Sequence, residues 1–548
     1  MILSLVFTLF ILFSTVGYGK FFCKIIFHRS IDFNNGQLGL FGIILISFVS
    51  TFLHLFTPLN QFINLILYLI GIIFFFQFKN FLFKKNEILI IIILLFISLL
   101  MLAYHRPNED WGYYHLPYLL NFTKEKVIFG LSALHPNQGW NSMWLNLTAT
   151  YNLPIISING FHLTNLIFFI FFSLTFLNEL MSKSSNDFFD NLTKIFCLLF
   201  LIYFIVKFAR LNSYGFDVPS NFIAIYSYLL FLKYYIFSNN IKKKNYIFEN
   251  ILIFSLFCFL IKLSNALILL LPLILIFYSE IRLISRSLFF CFLFCIVWIV
   301  QQFIYTGCLL FPILQTCFNV SWFSKGAALS LLNHTLGINK SFSQYKGNLS
   351  EEEYSSNFNW VTTWFDRTKV ELFENLFSFL FIYIIIFSLF FIIKNSKIIS
   401  FKNKYNKVFF LILLITLIQI LFWFYNSPLI RFGFHYVLLF VFFLLIFINK
   451  KYFLKFLDKK SIYILLLLSL LFNVQKNIFR IMKDINENYT YFFSYPTVSY
   501  SSNYNALFDI NITYLEKSSP YCWDAPAICS MDDNVKLERL NSYIFIRK

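Results

Sequence analysis

A cluster of ionisable side chains follows directly on an apolar run of the chain. Residues 105–144, HRPNEDWGYYHLPYLLNFTKEKVIFGLSALHPNQGWNSMW, place Glu109, Asp110 and His115 among tryptophan and tyrosine side chains. An unpaired carboxyl group in such partly desolvated surroundings has a raised pKa, which suits a general base. Asp110 is therefore the candidate catalytic base, with Glu109 and His115 as candidate substrate contacts. The alternative is that the two acids are solvated loop residues and that His115 is a structural hydrogen-bonding residue.

Two further charged residues stand beside apolar segments. Asp217, in SYGFDVPSNF, is either a second catalytic acid or the N-cap of the apolar helix that follows it. Arg210, on the N-terminal side of Asp217, is a candidate partner for that acid or for an anionic ligand. Lys262, in FCFLIKLSNALILLLP, interrupts a run in which a charge is costly in hydrocarbon. It either extends its ammonium group to the headgroups or binds a lipid phosphate.

Arg431 lies in a short polar turn with the sequence NSPLIRFGFHY. Because arginine binds phosphate through bidentate hydrogen bonds, Arg431 is a candidate ligand for an anionic substrate. Its alternative role is that of an anchor at the membrane interface. The sequence contains no glycine-rich phosphate loop and no zinc-binding motif. No metal site or other cofactor is assigned, and a requirement for a divalent metal is left open.

Membrane helices must position these residues. The chain has 548 residues, of which 59% are hydrophobic and 13% charged, with a mean hydropathy of +0.71. Soluble domains carry about 25% charged residues. Roughly 14 apolar runs are long enough to cross a bilayer, which takes about 17–25 residues. The sequence therefore predicts an all-α polytopic bundle of about 12–14 transmembrane helices.

The net charge of +18 is explained by topology. Lysine and arginine gather in alternate connectors, as they do in the cytoplasmic loops of membrane proteins. This alternation predicts that the remaining connectors face the periplasm or exterior, namely residues 105–155, 209–218, 305–374, 426–433 and 475–548. The charge is thus no indication of nucleic-acid binding.

The prediction divides the chain into six segments. Transmembrane helices occupy 1–104, 156–304 and 375–474. A first large external loop with interfacial helices occupies 105–155, a second external loop 305–374, and a small external segment 475–548. In the loop 305–374, Trp360, Trp364, Asp366 and Arg367 suit a cover over an acceptor, but no roles are assigned to them.

Four of the nine cysteines lie in segments predicted to be external. Cys308 and Cys317 form one closely spaced pair, and Cys522 and Cys529 form another. In an oxidising compartment such pairs favour local disulfides over free thiols. A zinc site would need more histidine or cysteine ligands at suitable spacing than these segments provide.

The same motifs resemble the GT-C superfamily of polytopic glycosyltransferases, relatives of the aminoarabinose and protein mannosyl transferases. NEDWGYYHLP is similar to the acidic first external loop of that superfamily, and SYGFDVPSNFIAI is similar to its second-acid segment. LIKLSNALILLLP resembles the turn whose lysine faces the phosphate of the lipid carrier, with Ile261 where threonine is usual. SPLIRFGFHY and CWDAPAIC are similar to a group of uncharacterised multi-spanning bacterial proteins. One departure is that three additional spans precede the first external loop of this chain, residues 105–155, hereafter the acidic loop.

The resemblance implies a GT-C-like glycosyltransferase in a bacterial inner membrane, with an active site on the external face. It would transfer a sugar from a polyprenyl-phosphate donor to a cell-envelope glycan or lipid, with membrane lipids as its surroundings. Asp110 and Asp217 would be the catalytic acids, and Lys262 would face the donor phosphate. The alternatives are a polysaccharide polymerase or ligase, and a transporter or flippase of lipid-linked glycans.

Overall fold

A computed structural model gives the fold of the chain. The structure describes residues 2–27, 33–78, 83–105, 108–182, 188–207, 213–236, 241–278, 286–323, 325–392, 405–449, 459–486, 491–492, 498–505, 510–515, 521–530 and 536–547. Ten helices within these ranges are long and apolar enough to cross a membrane. Two further apolar helices, Gln61–Gln77 and Leu263–Phe277, are shorter. The chain is therefore a polytopic helical membrane protein, and the total of 12–14 spans stays a prediction.

The helices follow one another along nearly the whole chain. The first group comprises α1 (Ile2–Phe27), α2 (Asn35–His54), α3 (Gln61–Gln77), α4 (Lys85–Ala103), α5 (Leu116–Lys124), α6 (Met143–Ala149), α7 (Thr164–Met181), α8 (Phe188–Lys207), α9 (Asp217–Ile236) and α10 (Ile241–Ile261). The second group comprises α11 (Leu270–Tyr278), α12 (Arg286–Thr306), α13 (Lys325–Asn339), α14 (Glu351–Ser355), α15 (Val361–Ile392), α16 (Tyr405–Asn426), α17 (Ile430–Ile448) and α18 (Lys459–Asn486).

Small residues let the first two helices approach closely. A Cβ atom on Gly19 of α1 would lie 1.8 Å from the backbone oxygen of Leu38, and one on Gly42 of α2 would lie 1.9 Å from that of Thr15. Close backbone contact through small side chains is the usual packing mode where lipid removes the hydrophobic driving force. Elsewhere phenylalanine fills the interfaces, as where Phe204 of α8 stacks on Phe222 of α9 at 3.9 Å between ring centroids.

Connectors predicted to be external come together at one end of the bundle. The backbone N–H of Leu59 donates to Phe122, that of Gly130 to Ile304, and that of Trp523 to Gly112. These bonds join the connector after α2, the acidic loop, the end of α12 and the C-terminal tail. The charge pattern had assigned the acidic loop, the segment after α12 and the tail to a single side of the membrane, whereas it had made no assignment for the connector after α2.

The C-terminal tail contains short strands, for which the sequence analysis had assigned no secondary structure. They are β2 (Tyr491–Phe492), β3 (Tyr500–Asn505), β4 (Ile510–Leu515), β5 (Cys529–Ser530), β6 (Lys536–Leu540) and β7 (Tyr543–Arg547), with β1 (Tyr104–His105) earlier in the chain. β1 pairs with β2, β3 with β4, and β6 with β7 in antiparallel fashion, and β4 pairs with β5 in parallel. In addition, Phe129 pairs with Phe545, which attaches the last hairpin to the acidic loop.

Both predicted disulfides are confirmed. Cys308 is bonded to Cys317, and Cys522 is bonded to Cys529. The first closes the turn that follows α12, and the second closes a loop of the tail that leads into β5. The other cysteines are free, and Cys23, Cys197, Cys258 and Cys291 are buried.

Candidate functional site

Asp110 lies at the start of a π-helical turn, Trp111–His115, that leads into α5. Its backbone N–H donates to Oδ1 of Asn108 at 3.1 Å, which holds the beginning of the turn. The indole of Trp111 is buried and stacks on Tyr214 with 5.0 Å between ring centroids. This turn with Asp110 at its start, hereafter the acidic turn, is therefore fixed against the segment that carries Asp217.

The carboxylate of Asp110 forms an ion pair with Arg431. Nη1 of Arg431 lies 2.6 Å from Oδ2 of Asp110. Arg431 is in the first turn of α17, and two indole groups hold the preceding turn. Trp364 donates to the backbone oxygen of Pro428 at 2.7 Å, and Trp423 donates to that of Leu429 at 2.8 Å.

Asp217 and Lys262 form a second ion pair beside the first. Nζ of Lys262 lies 2.5 Å from Oδ1 of Asp217, and Nε of Arg431 lies 3.4 Å from Oδ2 of the same carboxylate. The four charged groups thus form a continuous chain in the order Asp110, Arg431, Asp217, Lys262. Their formal charges sum to zero, and this chain of two acids and two cations is hereafter the charge cluster.

The backbone explains the position of Lys262. Helix α10 ends at Ile261, and Lys262 has extended φ and ψ angles of −152° and 115° before a 3₁₀ turn, Leu263–Leu269. Its side chain is only 7% exposed, and Nζ lies 3.3 Å from the centroid of the Phe432 ring. Burial lowers the pKa of the Lys262 ammonium to about 8, and the nearby Asp217 carboxylate opposes that effect. The ammonium is therefore held in place by its carboxylate partner.

Asp217 is the first residue of α9 and not the residue before it, so it does not occupy the N-cap position that the capping alternative predicted. Its two carboxylate oxygens instead face Lys262 and Arg431. Negative charge at a helix N-terminus is also favoured by the helix dipole. The position thus combines a helix start with membership of the charge cluster.

His115 lies next to the charge cluster and is 5% exposed. Neither ring nitrogen has a hydrogen-bond partner among the described residues. Its ring packs edge-on to Phe216 at 5.5 Å and lies against Gly215, where a Cβ atom would be 3.1 Å from Cε1 of the imidazole. Burial lowers the pKa of His115 to about 4, although the Asp110 and Asp217 carboxylates act in the opposite direction. The imidazole is therefore neutral at pH 7, with one nitrogen that can donate and one that can accept a hydrogen bond from a substrate.

His435 is a site residue that the sequence analysis missed. It follows Arg431 by four residues on α17, so the two side chains occupy the same face of the helix. It is 5% exposed, and both ring nitrogens lack a hydrogen-bond partner within the part of the chain that the structure describes. The i, i+4 spacing in RFGFH was the available signal. Ser264, just beyond Lys262, likewise has a buried hydroxyl without a described partner.

The structure does not place the two remaining predicted site residues, Glu109 and Arg210, in the charge cluster. Glu109 is described as exposed and stands outside the charge cluster. Arg210 lies outside the described residues, so its predicted pairing stays a prediction. No group of three or more histidine, cysteine, aspartate or glutamate side chains is arranged to hold a metal ion in the described ranges.

The disulfide loop of the tail packs directly on the acidic turn. Trp523 lies against Gly112, where a Cβ atom would be 2.4 Å from the indole. The ring of Tyr521 contacts Tyr113 with 5.9 Å between centroids. Because Gly112 is two residues from Asp110, the tail supports the position of the candidate base.

A separate open cavity of ≈ 430 Å³ lies in the segment predicted to cover an acceptor. It is lined by Gln344, Tyr345, Lys346, Gly347, Thr363, Asp366 and Arg367. Trp364, which holds the turn before Arg431, is the neighbour of Thr363 in α15. One wall of the cavity is therefore next to Trp364, the residue whose indole holds the turn before Arg431.

Comparison with known proteins gives a family match without an assigned activity. The model of a family described as a domain of unknown function (DUF8201) matches residues 1–438. This range includes all four residues of the charge cluster and His435, whereas the disulfide loop of the tail lies beyond it. No curated protein and no solved structure matches the chain.

Proposed function

The chain belongs to this family of unknown function, and we propose that it is a membrane glycosyltransferase that uses a polyprenyl-phosphate sugar as donor. The acceptor is a glycan or lipid of the cell envelope. The reaction takes place on the periplasmic or exterior side of a bacterial inner membrane. The observation that carries the proposal is the charge cluster, because it assembles two acids and two cations from four separate parts of the chain.

The two cations suit the donor phosphate. Arginine offers a fork of N–H donors and lysine a compact ammonium group, and both form strong hydrogen bonds with phosphate oxygens. When the sugar leaves its carrier, negative charge develops on the phosphate oxygen. Positive groups already fixed at that point stabilise the transition state. Lys262 and Arg431 take this role.

The depth of the cluster suits a lipid-borne donor. Lys262 immediately follows Ile261, the last residue of a helix apolar enough to span the membrane. The phosphate of a polyprenyl carrier lies at the same boundary between hydrocarbon and headgroups. Its chain can therefore remain in the bilayer while its phosphate contacts Lys262.

Asp110 serves the acceptor. Its carboxylate takes the proton of the acceptor hydroxyl as the oxygen attacks the anomeric carbon, a role worth about 10²–10⁴ in rate. The neutral imidazole of His115 lies beside the charge cluster and orients the acceptor by a hydrogen bond. Glu109 is a peripheral substrate contact.

A polysaccharide polymerase or ligase acting on polyprenyl-linked glycans is the second candidate. Two observations favour it: Arg431 is close to the acidic loop, and two buried histidines, His115 and His435, flank the charge cluster. Both candidates share a lipid phosphate as leaving group. They differ in the size of the transferred glycan.

The test is a transfer assay with a panel of labelled polyprenyl-phosphate monosaccharides and polyprenyl-linked oligosaccharides. Membranes carrying the unmodified protein, Lys262→Met and Lys369→Met are compared at matched protein levels. Lys369 is a suitable control because its ion pair with Asp366 is exposed. We expect transfer with the unmodified protein and the control and loss with Lys262→Met. Equal transfer by Lys262→Met and the control would contradict the proposal.

A further inference from the structure

In the charge cluster both cations already have carboxylate partners. Nζ of Lys262 contacts Asp217 at 2.5 Å, and Nη1 of Arg431 contacts Asp110 at 2.6 Å. A phosphate would need the same N–H donors, because both carboxylate and phosphate oxygens are acceptors. The acids of the cluster therefore compete with any phosphate for these two cations.

The surroundings of Lys262 restrict how this competition can be resolved. Its side chain is 7% exposed, and the ring of Phe432 covers Nζ from one side. Little space is left around the ammonium for a second anion beside Asp217. A phosphate that binds Lys262 must therefore take the place of the Asp217 carboxylate.

The same exchange changes Asp110. Oδ2 of Asp110 accepts a hydrogen bond from Nη1 of Arg431, so this oxygen is directed at the guanidinium group and not at an acceptor hydroxyl. When a phosphate takes over the N–H donors of Arg431, the carboxylate oxygen becomes available to accept the proton of the acceptor hydroxyl.

Buried polar groups near Lys262 provide independent support. Neither ring nitrogen of His435 nor the hydroxyl of Ser264 has a partner within the described ranges. Burying such groups is costly unless they form hydrogen bonds. His435 is on the same helix face as Arg431, and Ser264 follows Lys262 by two residues. Both can contribute hydrogen bonds to a phosphate in addition to those of the two cations.

Resting on the proposed function, we infer that Asp217 and Asp110 are internal competitors of the donor phosphate, and that donor binding releases Asp110 to act as base. The acceptor hydroxyl then gives its proton to Asp110, and its oxygen forms the new bond to the anomeric carbon. The bond from that carbon to the phosphate oxygen breaks, and its electron pair remains on polyprenyl phosphate. The donor phosphate thus has to bind before Asp110 can take the proton of the acceptor hydroxyl.

Binding of a polyprenyl monophosphate of short chain length to the purified full-length protein tests the inference. Removing the competing carboxylate in Asp217→Asn should strengthen binding by at least about threefold, the scale of a partly exposed ion pair. Asp110→Asn should strengthen it through Arg431 in the same way. Lys262→Met should weaken binding, and adding Asp217→Asn to it should gain less than Asp217→Asn gains in the unmodified protein, because part of the effect of Asp217 passes through Lys262 and the rest through Arg431.

Glu374→Gln is the matched control, since Glu374 is an exposed carboxylate paired with Lys207 at 2.7 Å, and it should leave binding unchanged. Unchanged or weaker binding in both Asp217→Asn and Asp110→Asn would overturn the inference and leave the proposed function standing. A protein that binds no polyprenyl phosphate would instead contradict the proposed function, and the inference with it. Using two variants guards against loss of folding in one of them.

Discussion

Arg431 and Asp110 are 321 residues apart in the chain, yet Nη1 of one lies 2.6 Å from Oδ2 of the other. Arg431 also contacts Asp217 through Nε at 3.4 Å. One guanidinium group therefore connects the acidic loop to the start of α9. This contact turns separate motifs into one site.

Phosphate binding should depend on the protonation of Lys262. Burial lowers the pKa of this ammonium to about 8, so it loses its charge as the pH rises through that value. We expect the affinity for a polyprenyl phosphate to fall about tenfold for each pH unit above 8, following the fraction of charged lysine. Lys262→Arg should keep its affinity over this range, because arginine stays charged. A flat profile for the unmodified protein between pH 8 and pH 9.5 would argue against this role.

The position of His115 should be sensitive to its neighbour Gly215. An added Cβ in Gly215→Ala would lie 3.1 Å from Cε1 of the imidazole, so the ring must shift. We expect a higher KM for the acceptor with a small change in unfolding temperature. Gly326→Ala is the control, since no atom lies within 4 Å of its added Cβ. Identical kinetics for both variants would remove His115 from the acceptor site.

Protonation of His115 should also affect stability. Its pKa is lowered to about 4 in the folded protein, against 6.5 as the ordinary value, so the unfolded chain binds the proton more readily. This contribution to stability is complete above pH 6.5 and is lost as the pH falls towards 4. His115→Gln should therefore weaken the acid-induced fall in unfolding temperature. His334→Gln, which changes an exposed histidine, should follow the unmodified protein.

The disulfide of the tail should stabilise the acidic turn. Replacing Cys522 and Cys529 together with alanine opens a loop worth about 2–3 kcal/mol in the chain-entropy model. Because Trp523 lies on Gly112, we expect lower transfer activity as well as a lower unfolding temperature. Cys308→Ala with Cys317→Ala serves as the comparison, since that bond closes a different turn. Full activity without the tail disulfide would show that the tail does not support Asp110.

Topology can be mapped with a membrane-impermeant thiol reagent. Glu352→Cys places a thiol at an exposed position of the loop 305–374, and Lys242→Cys places one at the exposed start of α10. We expect labelling of the first in intact cells and of the second only after lysis. Ser132, although in the acidic loop, is buried and would be unsuitable. The reversed labelling pattern would place the charge cluster on the cytoplasmic side.

Much of the architecture follows from local properties of the sequence. Apolar length predicted the membrane helices, and the spacing of Cys308 with Cys317 and of Cys522 with Cys529 predicted the disulfides. The sequence analysis overlooked the local hairpins β3–β4 and β6–β7 of the tail, whereas strand β2 escaped prediction because it pairs with a distant segment, Phe492 with Tyr104. Pairing of this kind depends on how the helices bring the segments together.

The residues of the site could be identified from the sequence, but their arrangement in space could not. Asp110, Asp217, Lys262 and Arg431 were each identifiable, because charge is rare in this chain and costly near hydrocarbon. Their order in the charge cluster depends on the packing of α9, α10 and α17 and on the acidic turn. His435 was overlooked because its i, i+4 spacing from Arg431 is a weak signal by itself, and the lack of partners for its ring nitrogens among the described residues is visible only in the structure.

The measurement that tests the central claim most directly is transfer of labelled sugar by Asp110→Asn and Glu109→Gln in membranes with matched protein levels. The two acids are adjacent in the chain, and of the two only Asp110 belongs to the charge cluster. Asparagine keeps the size of the side chain but cannot accept the proton, so Asp110→Asn should lower the transfer rate by about 10²–10⁴. Glu109→Gln should retain most of the activity. Transfer by Asp110→Asn at the rate of the unmodified protein would contradict the account.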